Sequence, residues 1–151
     1  GSLEALVQIT ALNWPVVVIS NQSAIGRGLV SDEMVEHINT RMVAAVEEAG
    51  GYITGVYICP HHPDNACACR KPQPGLLHQA AIELDLDLER SYLIGDAESD
   101  VLAALAVCVQ PILVLTGRGK EQRALLAGLE GTFQVCRDLS EAVTWIASRE
   151  I

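Results

Sequence analysis

Aromatic side chains make up only 4% of the 151 residues, and Lys and Arg together number 10 against 19 Asp and Glu. The first scarcity leaves the core to aliphatic side chains. The second gives a formal net charge of -9. It excludes a general polyanion-binding surface, because nucleic-acid affinity rests on neutralising phosphates with Lys and Arg. A small phosphorylated substrate is still served by a few local cations. Long hydrophobic runs are missing too. The longest, from Val101 to Leu115, is broken by Gln110 and Pro111 and falls short of the roughly 20 residues of a membrane span. The opening residues carry neither a basic region nor a small-residue cleavage pattern, so no secretion signal is read there. Five cysteines, an odd number, argue against a disulfide framework and for a reduced compartment. These features predict a cytoplasmic monomer with no nucleic-acid or membrane partner.

Hydrophobic residues reach 50%, enough for one packed core, and residues 1–151 read as a single domain. Short apolar strands alternate with amphipathic helices. Residues 2–13 read as a helix. Pro15 to Ser20 reads as a fully buried strand, being short, β-branched and bounded by polar residues. Ser31 is placed to cap a helix whose apolar face runs through Met34, Val35, Ile38, Met42 and Val46, stopped by Gly50-Gly51. A strand over 52–58, a helix over 74–85, a strand over 92–94 and a helix to about residue 106 follow. A buried strand over 111–115, a helix near 120–128, a weak strand over 133–136 and a last helix complete the pattern. Asp138 and Glu141 are spaced as a capping box for that helix. Such alternation predicts an α/β, three-layer, Rossmann-like parallel sheet with helices on both faces. Cys108 and Cys136 sit in apolar contexts and read as core residues, since free cysteine behaves as a small hydrophobe.

Three constellations carry chemistry. Ser20-Asn21-Gln22-Ser23 follows a strand, and ligands of open α/β sheets bind at the carboxyl ends of strands. Its hydroxyls and amides suit a phosphoryl oxygen, and Arg27 between Gly26 and Gly28 adds a guanidinium. Taken alone, the same residues make an ordinary polar strand-to-helix loop. The second constellation is Cys59-Pro60-His61-His62 with Cys67-Ala68-Cys69. Three thiolates and one imidazole make a closed tetrahedral Zn2+ site of the structural type. Buried structural cysteines usually sit inside apolar elements, whereas these sit among Pro, His, Asp and Asn. His61 has the better spacing for the imidazole ligand, and His62 stays open as its substitute. In the third, Arg70 and Lys71 adjoin the last cysteine, while Asp96 ends a strand and Asp100 lies one helical turn beyond. Adjacent cations suit a phosphate, and carboxylate oxygens suit Mg2+. A helix cap plus an exposed first-turn acid explains the two aspartates equally well.

Together, "SNQSAIGRG", "CPHHPDNACACRKPQPG" and "GDAESD" resemble the phosphatases of the haloacid dehalogenase superfamily, in their zinc-bearing sugar-bisphosphatase branch. Histidinol-phosphate phosphatases are near relatives of that branch. The resemblance runs from Leu3 to the last helix. It implies a Mg2+-dependent phosphomonoester hydrolase that forms an aspartyl-phosphate. The implied substrate is a phosphorylated sugar, a heptose 1,7-bisphosphate that loses its 7-phosphate. Histidinol phosphate or another small phosphomonoester is the alternative. It further implies that Ser20, with Asn21, Gln22 and Ser23, contacts the phosphoryl group, that Lys71 offsets its charge, and that Arg27 and Arg70 bind substrate. Asp96 is the implied Mg2+ ligand, with Asp100 beside it or behind it, and zinc shapes the loop without doing chemistry.

Two substitutions depart from the family pattern: Ala24 where glycine is usual, and Ala97 where a basic residue often follows the metal aspartate. The family's Asp-x-Asp pair, nucleophile and acid–base, belongs on a central strand before the first helix. No Asp-x-Asp here lies on a suitable strand, because Asp85-Leu86-Asp87 follows a helix and precedes no glycine-rich turn. Residues 1–151 alone are therefore expected to be inactive, with two interior sheet edges unpaired. From a different class, a catalytically inert zinc-bearing domain that binds a phosphorylated ligand is the competing expectation.

Overall fold

Strands and helices alternate along the chain as the hydrophobic pattern requires. The computed structural model describes residues 1–150. In order they form α1 (Ser2–Ala11), β1 (Val17–Asn21), a single turn α2 (Ser23–Gly26), α3 (Asp32–Glu48) and β2 (Gly55–Cys59). Then come α4 (Gly75–Leu84), β3 (Tyr92–Gly95), α5 (Glu98–Leu105), β4 (Gln110–Val114), the short α6 (Gly119–Gln122), β5 (Gln134–Cys136) and α7 (Leu139–Glu150). Single 3-10 turns over Leu88–Arg90 and Arg123–Leu126 complete the order. The predicted helix near 120–128 is thus two short pieces.

Every strand pairing is parallel, in two separate ladders, β1–β2 and β3–β4–β5. Parallel neighbours need crossovers, and α3, α5 and the α6 segment supply them. The split explains one departure from the sequence reading. β1 is half-buried along its whole length, not fully buried, because it has a strand on one side only. Thr54 N–H bonds to Val16 O, and Gln22 N–H to Cys59 O. By the period of two, the main-chain groups of even residues in β1 face β2, and those of Ile19 and Asn21 face away.

The core lies in the second ladder. Ile112, Val114, Cys136, Ala142 and Ile146 form one cluster, with Trp14, Tyr92, Ile94 and Trp145 packed on it. Val101, Leu113 and Leu126 form another on the opposite helix layer. Helix α1 packs on α7 and brings the start of the chain onto this half.

Caps follow chemistry. Ser31 Oγ accepts from Met34 N–H and opens α3. Asp138 Oδ1 accepts from Glu141 N–H, but Glu141 reaches back to Arg137 N–H, so one arm of the box is displaced by a residue. The α3 stripe is narrower than expected: Val35 and Val46 are buried, while Met34 and Ile38 are exposed. Cys136 is a core residue as read, but Cys108 is exposed, in the left-handed turn that ends α5 (φ 59).

Candidate active site and metal centre

Strand β2 ends at Cys59, and the chain then folds back on itself so that Cys59, His61, Cys67 and Cys69 bring one donor atom each within 4.8 Å of all the others. The Sγ of Cys67 lies 3.7 Å from both Cys59 Sγ and Cys69 Sγ. Nδ1 of His61 is 3.4 Å from Cys59 Sγ and 3.2 Å from Cys69 Sγ. A tetrahedral zinc would set its sulfurs about 3.8 Å apart and its sulfur–nitrogen pairs about 3.5 Å apart. The donor set therefore fits that ion in kind and in spacing. The geometry also separates the two histidines, since His62 Nδ1 accepts from Asp64 N–H instead.

The thiols differ among themselves. Desolvation works to raise Cys67, but the N–H groups of Arg70 and Cys69 and the neighbouring thiols outweigh it and bring it down to about 6. Desolvation, then the other two sulfurs, pushes Cys69 up to about 12. Cys67 and Cys69, so close together, resist ionising at once unless a cation joins them.

The same loop delivers Lys71 to the end of β1. Asn21, the last residue of that strand, clasps the Lys71 main chain at both ends: its amide donates to Lys71 O at 3.1 Å and its oxygen accepts from Lys71 N–H at 3.0 Å. The Lys71 ammonium donates to Ile19 O, on the edge of β1 that faces away from β2, at 2.9 Å. It also donates to Asp100 Oδ1 at 2.5 Å. Asp100 is buried at 7% exposure, and its second oxygen accepts from Ala97 N–H at 3.1 Å. It lies under Gly95, where any Cβ would fall 2.2 Å from Asp100 Oδ2. The Lys71 side chain thus bridges the open edge of β1 and the carboxyl end of β3. Close to the same strand end, Ser20 Oγ accepts from Gln22 Nε2 at 2.9 Å.

Asp96 follows β3 directly. Its Oδ2 accepts from Arg118 N–H at 2.9 Å, in the turn after β4, and the exposed Arg118 Nε stands 3.9 Å away. The carboxylate is about one-third exposed, so solvent can reach it. The sequence reading missed this turn. Its signal was the glycine spacing of Thr116-Gly117-Arg118-Gly119 directly after a buried strand.

Ser23 opens α2, and Arg27 follows it as an exposed residue. Arg70 and Lys71 line a cleft of about 300 Å³ with Pro63, Asn65, Cys67 and Gln73. Arg70 Nη1 is buried without a hydrogen-bond partner among the described residues. A buried, unpaired guanidinium nitrogen is costly.

Residues 68–142 match the HAD-hydrolase-like family model. A D-glycero-beta-D-manno-heptose-1,7-bisphosphate 7-phosphatase of Pseudomonas putida is 41% identical over 140 residues, covering 93% of this chain and 79% of the relative. The Bordetella bronchiseptica enzyme of the same name is 39% identical, with 93% and 78% covered. The chain belongs to the haloacid dehalogenase-like hydrolases. In three dimensions this hydrolase is similar to the crystal structure of D,D-heptose 1,7-bisphosphate phosphatase from B. bronchiseptica complexed with magnesium and phosphate. The TM-score is 0.93 at 36% identity, over 99% of this chain and 83% of that one. The Burkholderia thailandensis D,D-heptose 1,7-bisphosphate phosphatase matches with a TM-score of 0.77 at 30% identity, over 97% and 84%. No helix among the described residues is long and apolar enough to cross a membrane.

Proposed function

We propose that this hydrolase acts as a Mg2+-dependent phosphatase of a phosphorylated sugar, D-glycero-D-manno-heptose 1,7-bisphosphate, releasing the 7-phosphate. The observation that carries the reading is the Lys71 ammonium, held at once by Ile19 O and Asp100 at the carboxyl end of the sheet. A cation fixed from two sides is preorganised to offset phosphoryl charge and need not reorganise when that charge develops. The near identity of fold with a relative described as complexed with magnesium and phosphate supports the same reading.

In this reading Asp96 is the Mg2+ ligand. A half-open carboxylate suits a hard cation that keeps several waters and takes phosphate oxygens as its other ligands. Bound there, Mg2+ would supply charge neutralisation at the phosphoryl group. Ser20 Oγ would hydrogen-bond the transferring phosphoryl group, with Gln22 aligning it. Asn21 would act by holding Lys71, and Arg70 would meet an acceptor on the substrate. Zinc would sit among Cys59, His61, Cys67 and Cys69, and by fixing that loop would fix Arg70 and Lys71 just after it. Asp100, with both oxygens engaged, would stand behind Lys71 and not on the metal.

The nucleophile is assigned to a carboxylate on a strand seated between β1 and β3, beside the Lys71 ammonium that contacts Ile19 O and Asp100. Covalent phosphoryl transfer needs a positioned nucleophile; both Asp100 oxygens are engaged, and in this reading Asp96 is given to Mg2+. The test measures phosphate release from the heptose bisphosphate, from histidinol phosphate and from a general aryl phosphate, with and without Mg2+. Each is tried with residues 1–151 alone and joined to a strand ending in Asp-x-Asp. Mg2+-dependent release confined to the joined protein, fastest on the heptose bisphosphate, is expected. Full turnover by residues 1–151 alone would refute the nucleophile assignment, and preference for histidinol phosphate would refute the substrate.

A further inference from the structure

Gly117 and Gly119 are not interchangeable with other residues, the first because of Asp96 and the second because of the end of β4. Gly117 has φ +59, and a Cβ there would lie 2.3 Å from Asp96 Oδ2. Gly119 is buried, and a Cβ there would lie 1.8 Å from Val114 O, at the end of β4. Two glycines therefore let the turn press its main chain against two strand ends at once. Between them Arg118 donates its N–H to Asp96 Oδ2. Gln122, one turn further along α6, accepts from Glu98 N–H at 3.1 Å and ties the segment to the start of α5. Asp96 Oδ1 has no hydrogen-bond partner among the described residues.

We propose that the Thr116–Gly119 turn is a positioning element for the cation site: its main chain holds one oxygen of Asp96 and leaves the other to the metal. The proposal rests on Asp96 as the Mg2+ ligand. A carboxylate fixed by a rigid N–H presents its free oxygen in one orientation, whereas an unfixed one samples several and loses that freedom on binding. The Arg118 guanidinium is secondary. It is two-thirds exposed and 3.9 Å away, so solvent screens it. What matters is the peptide N–H, which any residue but proline supplies.

The test titrates Mn2+, as a Mg2+ probe followed by its paramagnetic resonance signal, into zinc-loaded chain. Arg118→Pro removes the N–H, Gly117→Ala drives a methyl at the carboxylate, and Arg118→Ala removes only the guanidinium. Loss of a supporting hydrogen bond to a metal ligand typically weakens binding by about tenfold to a hundredfold. Arg118→Pro and Gly117→Ala should each raise the Mn2+ dissociation constant by at least about tenfold, with zinc content unchanged. Arg118→Ala should stay within about threefold. Unaltered Mn2+ affinity in Arg118→Pro, with Asp96→Asn still abolishing binding, would overturn the turn's role and spare the Asp96 reading. Undiminished binding in Asp96→Asn would overturn both. Should either turn variant fail to fold, the wild-type amide resonance of Arg118 decides. It should shift on Mg2+ addition with the same binding constant as Asp96, and an unmoved Arg118 amide would refute the proposal.

Discussion

Lys71 and Asp100, 29 residues apart in sequence, meet through a 2.5 Å contact with side chains only 11% and 10% exposed. An ion pair so shielded is weak evidence of net stability. Removing one partner, however, leaves an uncompensated buried charge.

Lys71→Met should therefore destabilise the protein by about 3–5 kcal/mol, read from the urea midpoint at constant slope. Adding Asp100→Leu should return a large part of that loss, since the stranded carboxylate is then gone. A double variant as unstable as the single one would show that the pair is not the source.

Zinc uptake should release protons. Cys69, pushed up to about 12, is a thiol at pH 8 and must ionise to bind. Cys67, brought down to about 6, is already largely thiolate there and contributes little. Affinity falls as pH falls, because protons compete for each sulfur. Calorimetry at pH 8 in buffers of different ionisation enthalpy should count about one or more protons per zinc. A count of zero would contradict this account of the cluster.

Cys108 should react rapidly with a thiol reagent in the folded, zinc-loaded protein, and Cys136 only on unfolding. The first is exposed and the second 2% exposed. Since Cys108 holds φ 59, a conformation that costs an L-residue about 1–2 kcal/mol, Cys108→Gly should raise stability by about 0.5–1 kcal/mol. A lower thermal midpoint for that variant would contradict the strain argument.

Leu113, fully buried on β4, should be the most sensitive of the second cluster to truncation. Leu113→Ala should cost about 2–5 kcal/mol, checked by urea unfolding. A loss below about 1 kcal/mol would mean that the cluster collapses around the cavity.

The sequence disclosed what depends on short range. Ser31 and Asp138 cap the helices they were spaced to cap, and the close spacing of Cys59, His61, Cys67 and Cys69 anticipated their cluster. It was silent where partners are distant. Nothing near Asp96 announced that Arg118, 22 residues on, would touch it. Asn21 read as a phosphate contact from its neighbours, yet both ends of its amide face a main chain 50 residues away. The β1 burial was overestimated because composition reports a strand's apolarity, and not how many neighbours it has. Met34 and Ile38 were drawn into the α3 stripe by their period, but only Val35 and Val46 find a partner surface.

At Gly26 a Cβ would sit 2.3 Å from His62 N, 2.7 Å from His61 C and 2.7 Å from Pro60 O. The loop after β1 and the cysteine loop therefore touch backbone to backbone, with no side chain between them to yield. A substitution scan should find this position as intolerant as a metal ligand, although glycine offers no reactive group. Even alanine would wedge apart the two segments that carry Ser20 and Lys71. In the genetics of this protein, a residue with no chemistry of its own would be inherited as strictly as those that have it.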